Sequence, residues 1–245
     1  DVPNYAPAEA ARWLGLVPNT LRNWLLGKNV AAAQVATEAS TDLANLAVVV
    51  EVGGTGALVC MLPVLRPAST EPLTLSFWNL VECSILSAMR TTHRLSLQRV
   101  RRALAFVSEK LEKRRPLIEQ QFQTDGVHLF VDHYGKLVSA SQAGQTAIRE
   151  MMEASLRRID RDSAGLATRL FPWSKRPTEP RAVSVDPLVS FGRPVVMSTG
   201  IPVDVLLSRF RAGDTLNDLA ANYRISSVTI ENLVRWALES ESEAA

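Results

Sequence analysis

The feature that most constrains this chain lies in its first 27 residues. Ala10-Ala11 offers two small side chains where a pair of helices can cross. Gly15 tolerates a positive φ, and Pro18 suits the first turn of a following helix. Leu14, Leu16, Leu21 and Trp24 are placed to supply a shared core. A short helix, a tight turn and a second helix make a helix-turn-helix, whose second helix can enter the major groove of DNA. That leaves Asn19, Thr20, Arg22 and Asn23 facing outward. Their chemistry suits groove reading: Asn pairs bidentately with adenine, Arg with guanine, and Thr with phosphate or a thymine methyl. These four are the candidate DNA-binding residues of the amino-terminal unit. The competing reading is two amphipathic helices that merely pack together.

The rest of the chain predicts a mainly α protein with small β-hairpins, an α+β architecture in three blocks. Residues 1–73 hold the helix-turn-helix and a hairpin extension, with strands Ala47–Val52 and Ala57–Leu62 joined through Gly53-Gly54-Thr55-Gly56. Residues 74–172 form a helical middle and dimerisation domain. One helix starts near Ser76, and another follows Ser96 with Leu97, Val100, Leu104, Val107 and Leu111 at helical steps. Asp125-Gly126 and Tyr134-Gly135 read as turns of a β-meander over Phe122 to Ser139, followed by a long helix from Ser141 to Asp162. A proline- and charge-rich linker, Pro172 to Pro180, precedes residues 181–245. There Val183, Val185 and Pro194-Val195-Val196 are extended. Helices near Val203–Ala212, Leu216–Tyr223 and Ser227–Ala237 follow, with a frayed acidic tail beyond.

The net charge is only +2, but it is unevenly spread. Residues 74–172 hold 15 Lys/Arg against 10 Asp/Glu, so attraction to nucleic acid is expected to be strongest there. Arg99, Arg101 and Arg102 on the second middle helix are candidate phosphate contacts, Arg99 and Arg102 foremost, against the plainer reading of a solvated basic face.

At an offset of 209 residues the third block echoes the first. Ala11 falls on Ala220, Leu14 on Tyr223, Leu16 on Ile225, Thr20 on Thr229, Leu21 on Ile230, Asn23 on Asn232 and Trp24 on Leu233. The departures are Gly15 to Arg224 and Arg22 to Glu231. Residues 213–245 carry two basic against six acidic residues, a surface that a phosphate backbone repels. The second unit has the shape of a DNA reader without the charge, and is expected to bind protein.

The third block also carries a family pattern. It contains Val185-Asp186-Pro187, Phe191-Gly192-Arg193-Pro194-Val195-Val196 and Ser198-Thr199-Gly200-Ile201-Pro202-Val203. Phe210-Arg211-Ala212-Gly213-Asp214-Thr215, Leu219-Ala220 and Tyr223-Arg224-Ile225 continue it. This resembles the "domain of unknown function" family found in VapB-type antitoxins, the protective halves of type II toxin–antitoxin pairs. The first block followed by Leu75-Ser76-Phe77-Trp78-Asn79-Leu80-Val81-Glu82 is similar to longer members with an added amino-terminal reader. The resemblance implies an antitoxin that binds a PIN-type ribonuclease toxin and represses its own operon as a homodimer on operator DNA. Small VapB antitoxins often insert a basic side chain into the toxin's acidic metal site. Arg193 is the candidate here, although the acidic tail departs from that pattern. Arg193, Thr199, Thr229, Glu231, Asn232 and Arg235 form the candidate partner-binding set.

Enzymatic chemistry finds little support. His128 and His133 flank a run that reads as a strand and would point to opposite faces, against shared metal coordination with Asp125 or Asp132. The Gly53–Gly56 run lacks the Lys-Ser/Thr of a phosphate loop. Cys60 and Cys83 make no disulfide framework or metal spacing and fit a reducing cytosol. Leu46 to Leu65 is apolar, but Glu51 and its glycines argue against a membrane span. A non-enzymatic cytoplasmic regulator without metal or cofactor is expected. The alternatives are a protein-interaction adaptor, a regulator without a toxin, and, least supported, a hydrolase using Asp125, Asp132 and His133.

Overall fold

The computed structural model describes residues 2, 4–31, 47–52, 56–93, 95–172 and 179–244. The expected Gly53-Gly54-Thr55 turn residues and the centre of the Pro172–Pro180 linker lie outside them. The architecture is mainly α with small antiparallel sheets. Helices α1 (Pro7–Trp13) and α2 (Pro18–Leu26) open the chain. Strands β1 (Lys28–Ala31), β2 (Ala47–Val52) and β3 (Gly56–Met61) follow as a sheet of order β1-β3-β2. The expected hairpin is present, with Val50 opposite Leu58, and β1 extends it.

A small ribbon, β4 (Ser69–Thr70) with β5 (Leu73–Thr74), leads into the middle of the molecule. Four helices pack there: α3 (Phe77–His93), α4 (Leu97–Lys110), α5 (Val127–Val138) and α6 (Gln142–Leu156). α3 packs on α6, α4 on α5, and α5 on α6. Ser76 caps α3 reciprocally with Asn79: the Asn79 amide donates to Ser76 Oγ (3.2 Å), and the Ser76 amide to Asn79 Oδ1 (3.1 Å). Ser96 sits at the expected N-cap of α4, yet its side chain makes no capping bond. Leu80, Val81, Ile85, Leu86, Met89, Val100, Val107, Phe130 and Met152 are almost fully buried and form the centre of the core.

The β-meander expected over Phe122 to Ser139 is not there. Phe122–Gly126 is a single π-helical turn that runs directly into α5. The two glycines that read as turns sit inside helical packing instead. A Cβ on Gly126 would lie 2.6 Å from the Phe122 ring, and one on Gly135 would lie 2.8 Å from the Gln145 side chain. Close approach, not a reversal of the chain, explains them. The helix expected to reach Asp162 stops at Leu156. Ile159, within the expected helix, instead lies on β6 (Ile159–Arg161), paired with β7 (Ala167–Leu170).

β8 (Val183–Ser184) and β9 (Val195–Val196) pair at the start of the last block, followed by α7 (Val203–Arg211), α8 (Leu216–Tyr223) and α9 (Ser227–Ala244). The acidic tail is not frayed as expected. α9 continues through it, and Arg211 holds both carboxylate oxygens of Glu241 at 2.6 and 2.7 Å. α1 packs against α9, so the two ends of the chain meet. Asn4 Nδ2 donates to the Phe191 carbonyl (2.9 Å). Gly192 comes so close to Tyr5 that a Cβ would lie 2.2 Å from its hydroxyl.

Candidate nucleic-acid interface and partner module

The amino-terminal unit is built from small and apolar residues in the places helix crossing requires. Ala10, Ala11 and Leu21 are fully buried, Trp24 and Leu25 nearly so. Gly15 adopts φ 58° after α1, and the Leu16 amide then returns to the Ala11 carbonyl at 2.8 Å. At the far end of α2, the amides of Val64 and Leu65 donate to the Trp24 carbonyl at 2.8 and 3.1 Å, satisfying an orphan acceptor of the last turn. Gly27 (φ 83°) lets the β3 backbone approach, since a Cβ there would lie 2.1 Å from the Met61 carbonyl oxygen.

Asn19 and Arg22 are exposed on α2, and Thr20 and Asn23 are half-buried beside them. α1 has a different surround. Its Glu9, Arg12 and Trp13 line a narrow cleft with Trp236, Ser240 and Glu241 of α9. The first helix is thus partly committed to internal packing, while the outer face of α2 is left to solvent.

The second unit repeats the backbone of the first. Arg224, the counterpart of Gly15, has φ 54° and ψ 41°. The Ile225 amide donates to the Ala220 carbonyl (3.1 Å), as Leu16 does to Ala11. The Ile230 amide donates to Ser226 (3.1 Å), as Leu21 does to Val17 (3.3 Å). Ile230 and Leu233 are fully buried at the positions of Leu21 and Trp24. Caps differ at the equivalent second helices: Ser226 Oγ accepts from the Thr229 amide (3.1 Å) at the start of α9, whereas α2 begins on Pro18 without a side-chain cap.

The candidate partner-binding residues fall into separate places. Glu231 and Arg235 pair at 2.5 Å on the exposed side of α9, in line with exposed Val228 and Leu238. Asn232 is half-buried, and Thr229 shares a hydrogen bond with Ser226 (2.8 Å). Arg193 pairs instead with Asp204 (3.5 Å), across the α1 cleft from Trp236. Thr199 sits in an exposed turn, its hydroxyl accepting from the Ile201 amide (3.4 Å).

The middle-block arginines divide likewise. Arg99 is exposed and Arg102 half-buried. Arg101, grouped with them as a possible phosphate contact, is instead buried and donates to the Leu62 carbonyl, and burial pulls its pKa down. Arg158 is also internal. It donates to the Phe171 carbonyl (2.8 Å) and the Pro172 carbonyl (3.0 Å), and burial holds its pKa near 10. Part of the basic excess of residues 74–172 therefore fastens backbone rather than coating a surface.

The histidines lie on a helix, not a strand. His133 stacks on Phe106 (centroids 4.2 Å apart) and is held below its ordinary pKa by burial and then by Lys136. His128 meets Arg149 at 3.1 Å, and Asp132 pairs with Lys136 at 3.4 Å. Among the described residues no group of three or more His, Cys, Asp or Glu is arranged to hold a metal. Cys83 is a free, buried thiol, pushed well above its usual pKa by burial and then by Glu82. Among the described residues no helix is long and apolar enough to cross a membrane.

Sequence reasoning missed two features. Leu188 and Phe191 are 95% and 90% exposed, the latter on left-handed backbone (φ 56°). Glu82 is buried at the foot of α3 beside Arg115 and Asn79. An apolar residue in a helix-poor, Pro/Gly-rich run was a sign of the first; the second is hidden because Arg115, its charged partner, comes from a distant segment.

Residues 183–237 match the family described as "Protein of unknown function (DUF433)". A Mycobacterium tuberculosis protein named "Putative antitoxin VapB45" is 25% identical over 239 residues, covering 92% of this chain and 90% of that protein. The crystal structure of Rv2018, also from Mycobacterium tuberculosis, superposes with a TM-score of 0.64 at 22% identity, covering 96% of this chain and 98% of that one. The structural likeness establishes the fold. The sequence likeness agrees with the resemblance drawn from the motifs: residues 183–237 match DUF433, in a chain similar over nearly its whole length to a protein named "Putative antitoxin VapB45".

Proposed function

We propose that this protein is an antitoxin that neutralises a PIN-type ribonuclease toxin and represses its own operon. The observation that carries the reading is the pair of helix-turn-helix units with one backbone and opposite charge at one outward position: Arg22 on the first stands where Glu231 stands on the second. The name of the Mycobacterium tuberculosis relative supports the antitoxin role. The unit within residues 1–73 reads operator DNA through Asn19, Thr20, Arg22 and Asn23, with Arg99 and Arg102 as phosphate contacts from the 74–172 domain. Two copies associate through that domain and present two α2 helices to half-sites related by two-fold symmetry. The acidic 181–245 module holds the toxin, using the outer face of α9 with Thr229, Glu231, Asn232 and Arg235, and Arg193 and Thr199 nearer the β8–β9 turn.

The test is co-expression of the full chain with the product of the adjacent reading frame. Formation of a complex and loss of RNA cleavage support the reading, with both impaired by Glu231→Lys. A neighbour without ribonuclease activity, or a toxin neutralised equally by Glu231→Lys, rejects the assignment of the partner face. A DNA affinity that barely changes with salt favours the adaptor reading, since phosphate contacts release counterions.

A further inference from the structure

Away from the outer faces of both helix-turn-helix units, a recess of about 260 Å³ opens where the segment Pro63–Arg66 crosses α4 and the turn at Pro116–Ile118. Its lining includes four arginines, Arg66, Arg101, Arg114 and Arg115, and a single carboxylate, Glu82. We propose that this recess is a binding site for a phosphate group.

Two of the arginines build the recess. Arg101 donates to the Leu62 carbonyl, and Arg115 Nη2 donates to the Arg66 carbonyl at 2.7 Å. Asn79 Nδ2 donates to the same carbonyl at 2.6 Å. The charge of Glu82 is already shared: Arg115 Nη2 lies 3.6 Å from Glu82 Oε2, and Asn79 Nδ2 donates to that oxygen at 3.1 Å. Arg66 and Arg114 are exposed at the rim, and among the described residues neither has a carboxylate partner. Burial also holds the Glu82 carboxyl up at about 7, so near neutrality the opposing charge is partly absent.

The chemistry selects the ligand. Guanidinium groups are planar forks that match phosphate oxygens in pairs and stay charged. An excess of three positive charges among the lining groups suits a group carrying two or more negative charges better than a lone carboxylate. Leu104 and Leu117 wall the recess and are themselves buried, which weakens the screening of that attraction. The space holds several waters, enough for a phosphate or pyrophosphate. The phosphate could belong to a free small molecule or to a DNA backbone, because Val64 and Leu65 at the recess also cap the end of α2. The proposal stands independently of the antitoxin reading.

The experiment is calorimetric titration of the full chain with inorganic pyrophosphate at fixed ionic strength. Saturable binding is expected. Arg66→Ala with Arg114→Ala, both exposed at the rim, lowers the affinity tenfold or more with the unfolding midpoint unchanged; Glu82→Gln, which removes the opposing charge, raises it. No saturable binding, or equal affinity in wild type and the double variant, overturns the site. Displacement of operator duplex by pyrophosphate assigns the phosphate to the DNA backbone, and simultaneous binding assigns it to a free ligand; both support the site.

Discussion

The two helix-turn-helix units share a turn and differ in what they can afford to expose. Gly15 and Arg224 occupy the same left-handed conformation, and the amides that follow return to Ala11 and Ala220 in the same way. Backbone geometry alone therefore cannot say which unit meets DNA. Side chains make the difference: α2 presents Asn19 and Arg22, whereas α9 presents Glu231 locked to Arg235 and runs on into an acidic tail. The lesson is that a structural motif fixes where a recognition face lies, and charge fixes what that face can accept.

The largest effect that would break the comparison concerns the cores. Trp24→Ala is expected to cost about 3–5 kcal/mol, and Leu233→Ala about 2–5 kcal/mol, in denaturant-induced unfolding. If only one of the two is costly, the units are not equivalent scaffolds. Next comes pH. The folded Glu82 carboxyl sits near 7, above its ordinary 4.5, so the native state binds more protons than the unfolded chain between those values. Stability is then expected to fall as pH rises from about 4.5 to above 7, by on the order of 3 kcal/mol, and Glu82→Gln is expected to flatten that slope. Because Asn79 and Arg115 grip both Glu82 and the segment that caps α2, the loss should fall on the first unit. Hydrogen exchange of α2 amides against α9 amides between pH 5 and pH 8 reads this directly, and equal loosening of both helices contradicts it.

Much of this fold is legible in the chain. Ala10-Ala11, Gly15 and Pro18 specify the first unit because each has one local reason to be there. The same logic misreads Gly126 and Gly135, whose reason is contact with Phe122 and Gln145. Val127, Phe130, Val131 and Tyr134, all buried, step by three and four, so the helical period was present beneath the turn-like dipeptides. The outward faces of α2 and α9 follow from periodicity. The internal roles of Arg101, Arg158 and Glu82 do not, because their partners lie far along the chain. A charge count over 74–172 cannot separate an arginine that fastens a carbonyl from one that meets a phosphate.

Smaller effects sharpen the turn equivalence. Gly15→Ala is expected to destabilise by about 1–2 kcal/mol, because a side chain is strained at φ 58°. Arg224→Gly is expected to relieve a similar strain, partly offset by unfolded-chain entropy, for a gain of up to about 1 kcal/mol in thermal unfolding. Smallest is Glu231→Ala: an exposed i,i+4 pair contributes about 0.5 kcal/mol or less, so stability should hardly move even where partner binding does.

The most direct test of the central claim is operator affinity measured by fluorescence anisotropy at one fixed salt concentration for wild type, Arg22→Ala and Glu231→Ala. The account predicts that Arg22→Ala weakens specific binding by about 1–3 kcal/mol, roughly five- to 150-fold, with Glu231→Ala unchanged. Unaltered affinity on loss of Arg22, or a loss at Glu231 as large as at Arg22, would contradict it.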